Sequence, residues 1–155
     1  MRICSNVHDD PKETLELMLT YAWQFIGTVY VWGGKELKAD RGYDCSGYVQ
    51  ECLEAAGVVR SGVNNAMSSL QLYHRLSTHS VRRTVLPKPG DLLFFGRDLN
   101  SINHIAIALS TTHMIEAGGG SDKQMTTGMV RVRPIRADLI ATLNTLELLE
   151  KKVRL

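Results

Sequence analysis

Tyr43-Asp44-Cys45-Ser46-Gly47-Tyr48-Val49 sets a cysteine directly behind a good helix-capping residue, at the head of an apolar run. Tyr48, Val49, Cys52, Leu53 and Ala56 then recur at helical steps, and Gly57 follows. This pattern predicts a helix over 45–56. A thiol in the first turn of a helix feels the positive end of the dipole, which favours the reactive thiolate. The plain alternative is a structural cysteine that opens the apolar stripe, and position alone does not separate the two. Cys52 lies seven residues along the same face, about 10 Å away at the helical rise. That exceeds disulfide reach, so the two thiols do not pair.

Outward from this helix, Asp10-Pro11-Lys12-Glu13 reads as a helix start, with Asp10 as cap and Pro11 in the first turn. Leu15, Leu19, Ala22 and Ile26 form its stripe, and Gly27 ends it. Val29 to Gly34 is a short extended piece entering a glycine turn, and 64–76 reads as a further helix. Beyond Pro89-Gly90 the pattern changes to strands at 91–96, 102–109, 112–117 and 129–135. Helical spacing then returns over 137–150. Helices followed by an antiparallel meander make a single α+β domain over 1–155.

A nucleophilic cysteine needs a base. His104 is the histidine that stands inside an apolar strand, Ile102-Asn103-His104-Ile105-Ala106-Ile107-Ala108-Leu109. Alternation puts Ile105, Ile107 and Leu109 on one face and His104, Ala106 and Ala108 on the other. The small-residue face is expected to receive the Cys45 helix. A three-residue loop of Leu109 to Thr111 places Glu116 directly opposite His104, where a carboxylate accepts the second imidazole proton and steadies the imidazolium. A two-residue loop makes that contact diagonal. A buried glutamate without a partner is costly, which favours the pairing.

Four motifs occur in order: Tyr30-Val31-Trp32-Gly33-Gly34, Asp44-Cys45-Ser46-Gly47, Pro89-Gly90-Asp91-Leu92-Leu93-Phe94-Phe95 and His104-Ile105-Ala106-Ile107. Over about residues 15–135 the chain resembles the NlpC-type cysteine peptidases, papain-like bacterial and phage cell-wall hydrolases. The resemblance implies a papain-like fold whose nucleophile opens a helix packed on an antiparallel sheet. It implies cleavage of peptidoglycan stem peptides of the D-glutamyl–diamino acid type through a thioacyl enzyme. By motif position Cys45 is the nucleophile, His104 the base and Glu116 the third polar residue. Many members carry a histidine at that third place, and a carboxylate should raise imidazole basicity more. Tyr30 matches a tyrosine beside the nucleophile and supports the oxyanion. Asp44 and Ser46 match positions that hold the substrate's N-terminal portion.

The chain has 155 residues, 44% apolar and 22% charged, with a net charge of +2. That composition is globular and argues against a dedicated nucleic-acid partner. No stretch is long and apolar enough for a membrane span, and no signal peptide stands out. Cytoplasmic synthesis is therefore expected, with action on the wall if a phage particle, lysis or secretion system delivers the chain and, for an injected effector, an immunity-protein partner; without delivery a cytoplasmic recycling peptidase is the alternative. No Cys-x-x-Cys occurs and His74 and His79 lack convincing companions, so neither a metal nor another cofactor is expected. Arg131, Arg133 and Arg136 read as a solvated face. An amidase, acyltransferase or transamidase on the same Cys-His site is an open alternative, as is an inactive structural or wall-binding protein.

Overall fold

The structure is a computed structural model that describes residues 10–29, 44–60, 67–79, 86–118 and 128–155. Helix α1 spans Pro11–Trp23, α2 Cys45–Ala55 and α3 Ser69–Leu76. Asp10 caps α1 by accepting the Lys12 N–H at 3.0 Å. The helix buries Met18, Tyr21 and Ala22, whereas Ile26 is exposed. Ile26 follows the last helical residue, so helical spacing no longer fixes its direction. Gly27, at φ +89, carries the chain out of α1. In α2, Asp44 Oδ1 accepts the Gly47 N–H at 2.7 Å. Tyr48, Val49, Cys52 and Leu53 are fully buried, and the Tyr48 hydroxyl donates to Ala22 O at 2.7 Å, tying α2 to α1. A capping box of Ser68 and Gln71 starts α3, later than the expected Asn64, and residues 61–66 lie outside those described.

Strands β1 (Leu92–Gly96), β2 (Ile102–Ala108), β3 (His113–Gly118), β4 (Met129–Pro134) and β5 (Leu139–Leu143) form one antiparallel sheet in the order β4-β3-β2-β1-β5. The C-terminal helix expected over 137–150 is a correction. Its first part is β5, which pairs Leu143 with Leu92 and Ala141 with Phe94, and only α4, Thr145–Glu150, is helical. Periodicity cannot tell so short an apolar run from a helix. The outer edge of β1 decides, because its backbone groups need partners when Leu92 to Phe95 are buried.

The two faces of the sheet are covered differently. Leu92, Phe94, Ile105, Ile107, Ile115 and Ala117 join α1, α2 and α3 in the main core. Leu93, Phe95, Ala106, Ala108 and Met114 form a second cluster with Ile135 and Leu139. The Cys45 helix therefore packs on the isoleucine face, not on the alanine face. The alanines instead sit across the ladder from large residues, Ala106 from Leu93 and Ala108 from Met114. Just before His104 the ladder slips: Phe95 faces His104, but Gly96 faces Ile102. Asn103 is thus an extra residue in β2, a bulge that sends Ile102 into the main core. The bulge thus lies directly beside the candidate base.

Candidate active site

The site lies where the first turn of α2 meets the ends of β1, β2 and β3. Cys45 is half-buried and free, while Cys52 is a fully buried thiol whose pKa burial pushes up. The Cys45 thiol lies within interacting range of His104 and is one of the two groups that draw its pKa up. The other side of the imidazole is held by Glu116, with His104 Nε2 donating to Oε1 at 2.8 Å. An ionised carboxylate only accepts, so Nε2 carries its hydrogen and Nδ1 is the nitrogen left for the thiol. The Phe95 ring flanks the imidazole at 5.6 Å between centroids, and the Arg136 guanidinium lies 5.3 Å from the same ring.

The expected contact forms in a different register. Ile107 pairs with Ile115 and Ala108 with Met114, and the Leu109 N–H donates to His113 O. The turn is therefore Ser110 to Thr112, one residue later than Leu109 to Thr111. Face parity survives this slip, but Glu116 is diagonal to His104 rather than opposite it. A glutamate is long enough to span a diagonal. To do so its carboxylate lies over Gly118: a Cβ there would fall 2.5 Å from Oε2.

Glu116 is 1% exposed and is held by more than His104. Arg131, its direct cross-strand partner on β4, donates from Nε to Oε2 at 3.3 Å, and Arg133 Nη1 lies 3.6 Å from the same oxygen. The expectation of a solvated arginine face is thus corrected for these two. A buried anion recruits cations. Burial works to raise the Glu116 pKa, but the His104 hydrogen bond and the charges of His104, Arg133 and Arg131 hold it below the usual carboxylate range. For His104, burial disfavours the imidazolium, yet the interactions with Cys45 and Glu116 outweigh it and raise the pKa to about 9. The arrangement suits a thiolate–imidazolium pair with a carboxylate behind the cation.

Asp44 and Ser46 stand on either side of Cys45, with the Ser46 hydroxyl donating to Asp44 Oδ1 at 3.2 Å. Tyr30 lies outside the described residues. His74, His79 and His113 are exposed. Among the described residues, no group of three or more His, Cys, Asp or Glu is placed to hold a metal, and no helix is long and apolar enough to cross a membrane. Sequence reasoning missed Arg131, Arg133 and Gly118. The signal was present, since a buried strand glutamate needs cations and the two arginines alternate on the neighbouring strand.

The model of the NlpC/P60 family matches residues 27–141. The peptidoglycan endopeptidase RipB of Mycobacterium tuberculosis is 28% identical over 140 residues, covering 81% of this chain and 49% of that protein. The chain thus spans about half the length of the curated relatives it matches. The structure of RipB superposes with a TM-score of 0.65 at 25% identity, over 88% of this chain and 66% of that one. The NlpC/p60 domain of the peptidoglycan hydrolase SagA gives 0.63 at 26% identity, over 84% and 97%. RipD of M. tuberculosis, described as a non-catalytic domain adapted to peptidoglycan binding, gives 0.61 at 19%, over 84% and 96%, a likeness of fold.

Proposed function

The chain belongs to the NlpC/P60 family, and from that membership we propose that it is a cysteine endopeptidase acting on peptidoglycan stem peptides, at a bond of the D-glutamyl–diamino acid type. The observation that carries this reading is one imidazole bonded to the buried Glu116 carboxylate and within the influence of the Cys45 thiol. An inert core would have no use for a buried ionised pair aimed at a half-buried thiol.

The thiolate of Cys45 attacks the stem-peptide carbonyl, and a carbon–sulfur bond forms as the carbonyl becomes an oxyanion. The Cys45 backbone N–H, in the first turn of α2 with no intrahelical acceptor, is the proposed oxyanion donor, with Tyr30 as its companion. The imidazolium of His104 gives its proton to the leaving amine as the carbon–nitrogen bond breaks, leaving a thioester. Neutral His104 then takes a proton from water, whose oxygen displaces the sulfur and releases the acid. Asp44 and Ser46 flank the nucleophile on the side proposed for the N-terminal part of the substrate.

Mass spectrometry of defined muropeptides incubated with the unaltered chain and with Cys45→Ala tests the proposal. Cleavage between D-glutamate and the diamino acid by the unaltered chain alone is the expected result. Cleavage that persists at full rate in Cys45→Ala would overturn it. Products heavier than hydrolysis allows would instead assign a transamidase, and binding without cleavage a wall-binding protein.

A further inference from the structure

The Glu116 carboxylate ends a long side chain reaching diagonally across a ladder, and a free glutamate loses much rotamer freedom on being fixed. Three residues outside the catalytic trio fix it. Arg131 and Arg133 both lie on Oε2, at 3.3 and 3.6 Å, which leaves Oε1 directed at His104 Nε2. Gly118 supplies the space: a Cβ there would fall 2.5 Å from Oε2, closer than real contacts allow, and 3.0 Å from Cδ, so the carboxylate would have to shift. Gly118 is not in the left-handed region, so its backbone does not itself require glycine. What glycine preserves is the place of the carboxylate lying over it.

We propose that Arg131, Arg133 and Gly118 are positioning residues that clamp the Glu116 carboxylate in its bond to His104. The proposal rests on the Cys45–His104–Glu116 reading of the site but not on the identity of the substrate. Two effects of the arginines on His104 oppose each other. Their charge disfavours the imidazolium directly, while their grip on Glu116 favours it through the 2.8 Å contact. The guanidinium side chains are 33% and 39% exposed, so water screens the direct effect, whereas the carboxylate contact is buried. The grip dominates. Among the described residues, the other groups facing His104 are Cys45 from α2 and Phe95 from β1, with Arg136 behind the Phe95 ring.

The titration of His104, followed by NMR of its ring in the full chain and assigned by its loss in His104→Gln, reads the clamp without any substrate. The unaltered chain should titrate near the raised value of about 9, and Glu116→Gln sets the full fall. Gly118→Ala, which changes no charge, should lower the midpoint by about one pH unit or more, at least a tenfold change in the protonation equilibrium. Arg131→Gln with Arg133→Gln should lower it likewise, and the charge-retaining lysine pair should fall between. A purely structural role would lower thermal stability and leave the midpoint in place. A midpoint that stays or rises in Gly118→Ala overturns the proposal, and this variant decides alone if the double glutamine chain does not fold. An ordinary midpoint in the unaltered chain, unmoved by Glu116→Gln, would remove the catalytic reading as well. A raised midpoint without muropeptide cleavage would remove only the substrate.

Discussion

At the scale of single residues the chemistry turns on what surrounds one imidazole. His104 is buried, which alone would keep it neutral, yet thiol and carboxylate together make it more basic than a free histidine. Such a group is largely protonated at neutral pH and can pair with a thiolate before substrate arrives. Replacing it removes both the counter-ion and the proton donor, so His104→Ala should lower kcat by roughly 10²–10⁴-fold. Glu116→Gln keeps the shape and a hydrogen bond but not the charge, and should cost less than His104→Ala while still lowering kcat. Steady-state kinetics on one purified muropeptide would show that order, and an undiminished rate in Glu116→Gln would deny the carboxylate its role. The sequence led directly to Cys45 and His104, because a cysteine behind a cap and a histidine in an apolar strand are local signals. Glu116 followed from face parity, which survives a shift of the turn. The arginines carried a signal in their alternation along one strand, but that they meet Glu116 depends on that strand lying beside β3.

At the scale of elements, α2 does two jobs through one cap. Asp44 closes the first turn and also receives the Ser46 hydroxyl beside Cys45. Loss of an aspartate cap destabilises by about 1 kcal/mol. Asp44→Ala should therefore lower the urea midpoint and, by loosening the turn that carries Cys45, also lower kcat. Asp10→Ala, at the cap of α1, should lower stability without a comparable loss of kcat. Equal kinetic losses in the two variants would separate the cap from catalysis. Capping and apolar spacing made α1, α2 and β1 to β4 readable from the chain. The strand β5 was not, since Leu139-Ile140-Ala141-Thr142-Leu143 carries no local mark that separates strand from helix, and the open edge of β1 selects it. The covered face of β2 was misread for a related reason. Alternation sorts residues onto two faces, but which face meets the helices depends on how the whole sheet is packed.

At the scale of the molecule the same charged pair links the proposed catalysis to stability. His104 has a folded pKa of about 9, above the ordinary value of 6.5. Folding therefore favours its protonated form, and that stabilisation is complete below pH 6.5 and lost as pH rises through about 9. Glu116 is shifted the other way: its contribution is complete above the ordinary carboxylate value and is lost as pH falls through its lowered folded value. Both contributions coexist only between those limits, so stability should peak in mildly acidic to neutral solution. From there to about pH 9 the fall should be on the order of a few kcal/mol, set by the shift of His104. Urea unfolding followed by circular dichroism at steps between pH 5 and 10 would trace it, with His104→Gln as the control that lacks the imidazole. The difference between the two curves should shrink steadily above pH 6.5, even though other groups also titrate there. A difference that stays constant to pH 10 would mean that the folded chain does not favour the imidazolium, and the ion pair proposed for catalysis would lose its thermodynamic support.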